Sequence, residues 1–212
     1  AAETYTSTLF ALMDGDTIHH SSAHPEWIGG PHDQWAQFHA YNDTSRETLR
    51  PPSFGHTWVG GLLDYYYLSG YRRAWEVARS TGRYCCGTYT RKWGMTPQLR
   101  DRWDDPRQGW DYWTRDAGWA LTGMADLYEA TRDPALAEGM RELVGVLARW
   151  QDDEGRWRHP IGSFNRGGVP FMTASILTGL MRTWEGLGDP LARQMCLRGC
   201  RFITRMTTPE GL

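Results

Sequence analysis

The chain has 212 residues and a formal net charge of -2. This length suits one domain with a substantial core, and the small negative charge argues against broad electrostatic binding to nucleic acid. The sequence lacks an apolar run of about 18 residues, so no membrane-spanning helix is predicted. No signal-peptide pattern is visible in residues 1–20, which leaves the compartment open, with a secreted or periplasmic location among the alternatives.

The N-terminal segment 1–54 is irregular and rich in His, Pro and Gly, with a helix predicted only near 34–41. Six of the seven histidines fall within the first 56 residues. Histidine acts as a general acid or base near neutral pH, or as a metal ligand. No HExxH or comparable spacing is present, so no cofactor is predicted, and a metal ion held by these histidines is kept as an alternative. His56 and His39 are the preferred candidates for chemistry.

From Gly55 onward the pattern becomes regular and predicts paired helices. The predicted helices lie at about 55–69, 72–84, 115–131, 134–150, 169–186 and 190–206. The first helix of each pair carries a similar apolar, Gly-containing stretch, which starts at Gly61, Gly123 and Gly179. A recurrence of this length indicates an array of helical hairpins, because one hairpin cannot bury its own apolar face.

The two helices of each pair differ in kind. Residues 169–177 are apolar or small on almost every side, which predicts a helix that is buried all round. The helix at 134–150 is amphipathic, and Asp133-Pro134 and Asp189-Pro190 predict capped helix starts. We therefore predict an all-α fold, an α/α toroid with first helices inside and second helices outside. Residues 1–212 are predicted to form one such domain, with the irregular segment 1–54 packed on it. Six hairpins of about 50–60 residues exceed this length, so we expect a partial or open ring, or further domains or segments of a longer protein.

The inner helices are expected to point the same way, so that their N-terminal ends meet at one mouth. Helix N-termini favour anionic ligands, and Trp side chains are suited to stacking on sugar rings. The chain has twelve Trp and ten Tyr, more than a core of this size requires. The substrate-binding candidates at this mouth are Trp58, Trp110, Asp111, Trp113, Trp119, Asn165 and Arg166.

Carboxylates and arginines suggest two kinds of chemistry at the mouth. Glycoside hydrolysis needs two carboxyl groups, and Asp111 and Asp116 are the best-placed pair. Asp64 and Asp126 occupy equivalent positions deeper in the inner helices, where a structural role is expected. Arg115 is suited to binding the carboxylate of a uronate, as is Arg166.

One segment carries a resemblance to a known group of proteins. Residues 53–70, which read SFGHTWVGGLLDYYYLSG, resemble a GHxWxxGLxxYYxLTGD stretch of α/α-toroid domains in carbohydrate-active proteins. These include polysaccharide lyases related to the exo-rhamnogalacturonan lyases, and the six-hairpin glycosidase superfamily. Tyr71 stands where that pattern has Asp. Residues 150–157 are similar to a hairpin loop common in such toroids.

The resemblance implies action on an acidic or neutral glycan, with three alternatives. As a lyase, the protein would cleave a uronate-containing glycan by β-elimination. His56 or His39 would then be the base, Tyr41 or another tyrosine the acid, and Arg115 or Arg166 the carboxylate partner. As a hydrolase it would use Asp111 and Asp116. A non-catalytic toroid that binds glycan or acts as a scaffold is the third alternative. The histidine enrichment favours the lyase.

Overall fold

The structure is a computed structural model that describes residues 28–30, 57–91, 111–157 and 170–207. Within these ranges the protein is all-helical, and its six helices form three successive hairpins. They are α1 (Gly60–Ser69), α2 (Arg72–Arg91), α3 (Asp111–Thr131), α4 (Pro134–Trp150), α5 (Pro170–Leu187) and α6 (Pro190–Met206). None of these described helices combines the length and apolar character needed to cross a lipid bilayer.

The predicted capped starts of the second helices are confirmed. The Asp133 side chain accepts a hydrogen bond from the Ala135 N–H, and Pro134 takes the first helical position of α4. Asp189 caps α6 in the same way through the Ala192 N–H. Each aspartate satisfies a backbone donor that the helix itself leaves unpaired, which fixes where the outer helix begins.

The inner helices α1, α3 and α5 run parallel to one another. Gly118 contacts Ser175 in the first half of the two helices α3 and α5, and Asp126 bonds Arg182 in their second half. Contacts later in α3 are thus made to residues later in α5, as in a parallel pair. Along α1 and α3, the Thr57 carbonyl lies against Gly123, and Gly60 lies against Asp126. A toroid of hairpins requires this common direction, and the ring itself stays a prediction.

The hydrophobic core lies between the inner and outer helices. The apolar stripe predicted for α4 is buried, whereas the polar residues Glu138, Arg141 and Glu142 are exposed. The buried residues of that stripe are Leu136, Met140, Leu143, Val144 and Leu147. This division confirms that α4 is amphipathic.

The loop after α4 fastens the second hairpin to the third. Gln151 and Trp157 pair across it as an isolated antiparallel bridge, and the Trp157 side chain is fully buried. The Gln151 amide donates to the Met195 carbonyl on α6 at 3.0 Å, and Arg198 donates to the Asp152 carbonyl. The polar turn followed by an aromatic residue thus joins two outer helices.

Three helix boundaries and one burial pattern differ from the prediction. α2 ends at Arg91, later than the predicted 84. α1 begins at Gly60, later than predicted, because the Thr57 backbone packs against Gly123 of α3. α3 begins earlier, at Asp111. The prediction that α5 is buried on every side is wrong, since Phe171 and Met181 are 58% and 42% exposed. The predicted helix at 34–41 lies outside the described residues.

Candidate functional site

A polar cleft opens between the three inner helices. Its volume is about 470 Å³. Its charged lining residues are Asp64, Asp126, Glu129 and Arg182, and its other lining residues are Gly60, Leu63, Tyr67 and Ala130. The cleft is therefore lined by three carboxylates and one guanidinium, which gives it a net negative charge.

The central charges of the cleft come from equivalent positions of the repeat. Asp64, Asp126 and Arg182 occupy the same repeat position, each five residues before the last residue of its helix. On α3 and α5 the equivalent positions lie side by side, since Asp126 bonds Arg182, whereas on α1 it is Gly60, one turn before Asp64, that lies beside Asp126. The third copy therefore supplies a cation where the first two supply carboxylates.

Arg182 binds two of the carboxylates. Its Nε and Nη2 atoms donate to Asp126 Oδ1 at 3.1 and 2.6 Å, and Nη2 also donates to Glu129 at 3.0 Å. Within the described part of the chain, no donor bonds Asp126 Oδ2. A Cβ added at Gly60 would lie 2.9 Å from this oxygen, so the glycine leaves room for it.

Burial governs the protonation of Asp126. Desolvation raises the pKa of this carboxyl above its ordinary value, the Arg182 hydrogen bond and charge oppose the rise, and Glu129 and Asp64 add to it. The pKa of Arg182 is raised in turn, chiefly by its hydrogen bond to Asp126. Asp126 thus takes up a proton more readily than an exposed aspartate does.

An aromatic pair lies on the same face of α3 as the cleft. The incompletely buried residues Trp119, Thr122, Asp126 and Glu129 recur at helical spacing along this face. The Trp119 ring meets the Trp58 ring edge to face, with centroids 5.2 Å apart, and Trp58 is 43% exposed. Seven residues of helix separate Trp119 from Asp126, about 10 Å along the axis. One continuous surface therefore joins aromatic rings to carboxylates.

The structure brings together two of the residues predicted to bind substrate, Trp58 and Trp119. Four others lie in the first turns of α3, and their side chains are outside the described set: Asp111, Trp113, Arg115 and Asp116. The remaining candidates lie outside the described residues: His39, Tyr41, His56, Trp110, Asn165 and Arg166.

Asp64 and Asp126 were expected to be structural, and the arginine of the cleft was not predicted. Asp64 and Asp126 do line the cleft, and Asp126 also pairs with Arg182. The signal for Arg182 was present in the repeat, because it occupies the position of the two aspartates in the third copy. Tyr67 and Glu129 carried no comparable signal.

The described ranges contain no group of three or more His, Cys, Asp or Glu side chains arranged to hold a metal ion. The histidines proposed as alternative metal ligands lie outside those ranges. Comparison of the chain with protein-family models, curated proteins and solved structures found no match. The cleft and the aromatic pair are therefore the features of the described residues that bear on function.

Replacing Arg182 with methionine is expected to lower the free energy of unfolding by about 1–2 kcal/mol at pH 7. This lies between the cost of losing an exposed ion pair and that of losing a buried one. The folded pKa of Asp126 is already raised, so its contribution to stability falls as the pH rises from the unfolded value through the folded one. Without Arg182 that pKa rises further, and the loss should be smaller at pH 4.5 than at pH 7. Urea denaturation at both pH values measures it.

The exposed pair of Arg73 and Glu76, 3.4 Å apart, provides the control. Arg73→Met should cost less than about 0.5 kcal/mol and change little with pH. An equal loss for Arg182→Met at both pH values would show that the Asp126 charge does not determine the effect.

Proposed function

We propose that the chain is a carbohydrate-active protein that binds a glycan along α3, and that the cleft hydrolyses it. The observation that carries this proposal is the joining of two features on one surface. One is a carboxyl group, Asp126, whose pKa is raised, beside the second carboxylate Asp64. The other is the half-exposed aromatic pair of Trp58 and Trp119.

Two carboxyl groups in different environments support hydrolysis. One must be protonated to donate to the glycosidic oxygen, and the other must be ionised to activate water or attack the sugar. Asp126 is the candidate acid, because burial raises its pKa against the opposing effect of Arg182, and Arg182 holds only Oδ1. Asp64 is exposed on α1 and lines the same cleft, so it is the candidate for the second role. Arg182 fixes the orientation of the acid.

The charge of the cleft favours a neutral glycan over a uronate. Arg182 already binds Asp126 and Glu129, so it is not free to neutralise a substrate carboxylate. Asp64 would repel such a group. β-Elimination by His56 or His39 with Tyr41, and with Arg115 or Arg166 as carboxylate partner, depends on side chains outside the described set. The cleft therefore favours the hydrolase over the lyase.

The experiment is incubation of the full chain with neutral and uronate-containing polysaccharides, followed by two assays. Reducing ends report any cleavage, and ultraviolet absorbance reports an unsaturated uronate. We expect reducing ends from a neutral glycan without that absorbance. Asp126→Asn and Asp64→Asn should each lower kcat by about 10²–10⁴-fold. Asp153→Asn, on the exposed tip of the loop after α4, is the matched control and should leave kcat unchanged.

Other results would select another function. Absorbance from a uronate glycan, retained in both aspartate variants, would favour β-elimination. Retention on a glycan column without turnover, lost in Trp119→Ala, would favour a binding module. Full activity in both aspartate variants would remove the cleft from catalysis.

A further inference from the structure

Tyr67 forms a second aromatic surface in the cleft, at the end away from Trp119. It is one of the residues that line the cleft, and 62% of it is exposed. It follows Asp64 by three residues on α1, so the two side chains are neighbours on one face of the helix. Its ring is therefore accessible to a molecule that lies beside Asp64.

The ring of Tyr67 packs against other aromatic rings of the same hairpin. Its centroid lies 5.6 Å from that of Tyr66, and the Tyr66 centroid lies 5.2 Å from that of Trp75. Tyr66 and Trp75 are partly buried and pack against the core. Contact with a ring that is itself held in place restricts Tyr67, so less side-chain entropy is lost when a ligand binds. An exposed ring of this kind is suited to stacking on the apolar face of a sugar.

The two aromatic surfaces lie on opposite sides of Asp126 along the cleft. Gly60 lies beside Asp126 Oδ2, so it marks the height of that carboxyl group on α1. Trp119 precedes Asp126 by seven residues, and Tyr67 follows Gly60 by the same number. Because α1 and α3 are parallel, one ring lies about 10 Å before the carboxyl group along the helix axis and the other about 10 Å beyond it. Asp64 lies between Asp126 and Tyr67.

The end of the cleft at Tyr67 is open to solvent. The Glu129 side chain is 64% exposed there, and Leu68, which follows Tyr67, is 88% exposed. An enzyme that removes sugars from a chain end needs a pocket closed on one side, so that the terminal sugar stops beside the catalytic groups. A cleft with an aromatic ring on each side and an open end instead allows a polymer to continue past the bond that breaks.

We propose that Tyr67 binds a sugar on the far side of the cleaved bond from Trp58 and Trp119, and that the protein cleaves neutral polysaccharides at internal bonds. Internal cleavage rests on the proposed hydrolysis, and it requires a chain with sugars on both sides of the bond. One water is consumed for each bond that breaks. Its hydroxyl group goes to the anomeric carbon, and its proton replaces the one that Asp126 gives to the leaving oxygen.

Viscometry together with a reducing-end assay on the full chain tests this, with starch, galactomannan and mixed-linkage β-glucan as the polysaccharides. Internal cleavage lowers the viscosity steeply while few reducing ends have formed, and this is the expected result. On the polysaccharide that is cleaved, Tyr67→Ala should raise KM about tenfold and change kcat by less than about threefold, because the ring binds sugar away from the reacting atoms. Tyr67→Phe keeps the ring and should keep the wild-type KM.

Tyr71→Ala is the matched control. Tyr71 is 47% exposed near the same helix end, and its ring packs against Tyr65, outside the described lining of the cleft. This variant should have the wild-type KM, and circular dichroism verifies that every variant is folded.

Three results would overturn the inference, and they differ in what they leave standing. Reducing ends without an early fall in viscosity would rule out internal cleavage, and hydrolysis would stand. An unchanged KM in Tyr67→Ala, or a KM raised as much by Tyr67→Phe, would rule out the stacking role of the ring, and hydrolysis would again stand. The absence of reducing ends from all three polysaccharides would remove the proposed hydrolysis itself, and internal cleavage with it.

Discussion

Replacing Trp157 with alanine is expected to lower the free energy of unfolding by about 3–5 kcal/mol. The indole lies in the loop after α4, which bonds to α6, and it is fully buried. Its ring packs against the backbone at Gly199. Its Nε1 donates to the Leu147 carbonyl at 2.9 Å. That carbonyl also accepts from the Gln151 N–H, so the substitution leaves it bonded. The loss therefore comes mainly from the cavity.

Guanidinium denaturation measures the effect, and Trp184 supplies the matched control. Trp184 is 40% exposed and its ring lies 5.4 Å from the Arg193 guanidinium. Trp184→Ala should cost about 1 kcal/mol or less, the range of an exposed cation–π contact. Equal losses for the two variants would mean that the loop does not anchor the hairpins.

Local sequence signals were sufficient to predict the hairpins. Asp133-Pro134 and Asp189-Pro190 fix two helix starts because cap and proline act within one turn of the chain. The stripe on α4 predicts the buried side because it depends only on helical periodicity. The start of α1 was placed too early, since it depends on how Thr57 packs against Gly123, a contact between distant residues.

The cleft was harder to predict, because a charged side chain takes its role from its neighbour on another helix. Asp126 was expected to be structural, and half of that expectation holds, since it pairs with Arg182. The same pairing leaves one oxygen of Asp126 without a described donor, and this makes the residue a candidate acid. Comparing the third repeat with the first two would have shown Arg182 opposite an aspartate. The aromatic pair of Trp58 and Trp119 was predicted only as two separate members of one mouth.

The exposed face of α5 shows a different limit of sequence patterns. An apolar, small-residue helix predicts that neighbours surround it, but the pattern does not say which molecule provides them. The pattern of residues 169–177 therefore predicted a helix with neighbours on every side, whereas Phe171 on α5 is 58% exposed.

Replacing Gly118 with alanine is expected to destabilise the protein by about 1–3 kcal/mol, although alanine is the better helix former. The added Cβ would lie 2.6 Å from the Ser175 carbonyl group and 2.7 Å from the Ile176 nitrogen. These are backbone atoms, so no side-chain rotation relieves the contact and α5 must move away from α3. That movement would also lengthen the hydrogen bonds between Arg182 and Asp126, so the proposed glycan hydrolysis should weaken together with stability.

Gly145→Ala on α4 is the matched control, because no atom lies within 4 Å of the Cβ it would add. There the substitution only removes backbone freedom from the unfolded chain, and it should stabilise the protein by about 0.5–1 kcal/mol. The same chemical change is thus expected to have opposite signs on the two helices, as measured by urea denaturation. A stabilising Gly118→Ala would mean that α3 and α5 are not in close backbone contact, and the cleft between them would lose its structural basis.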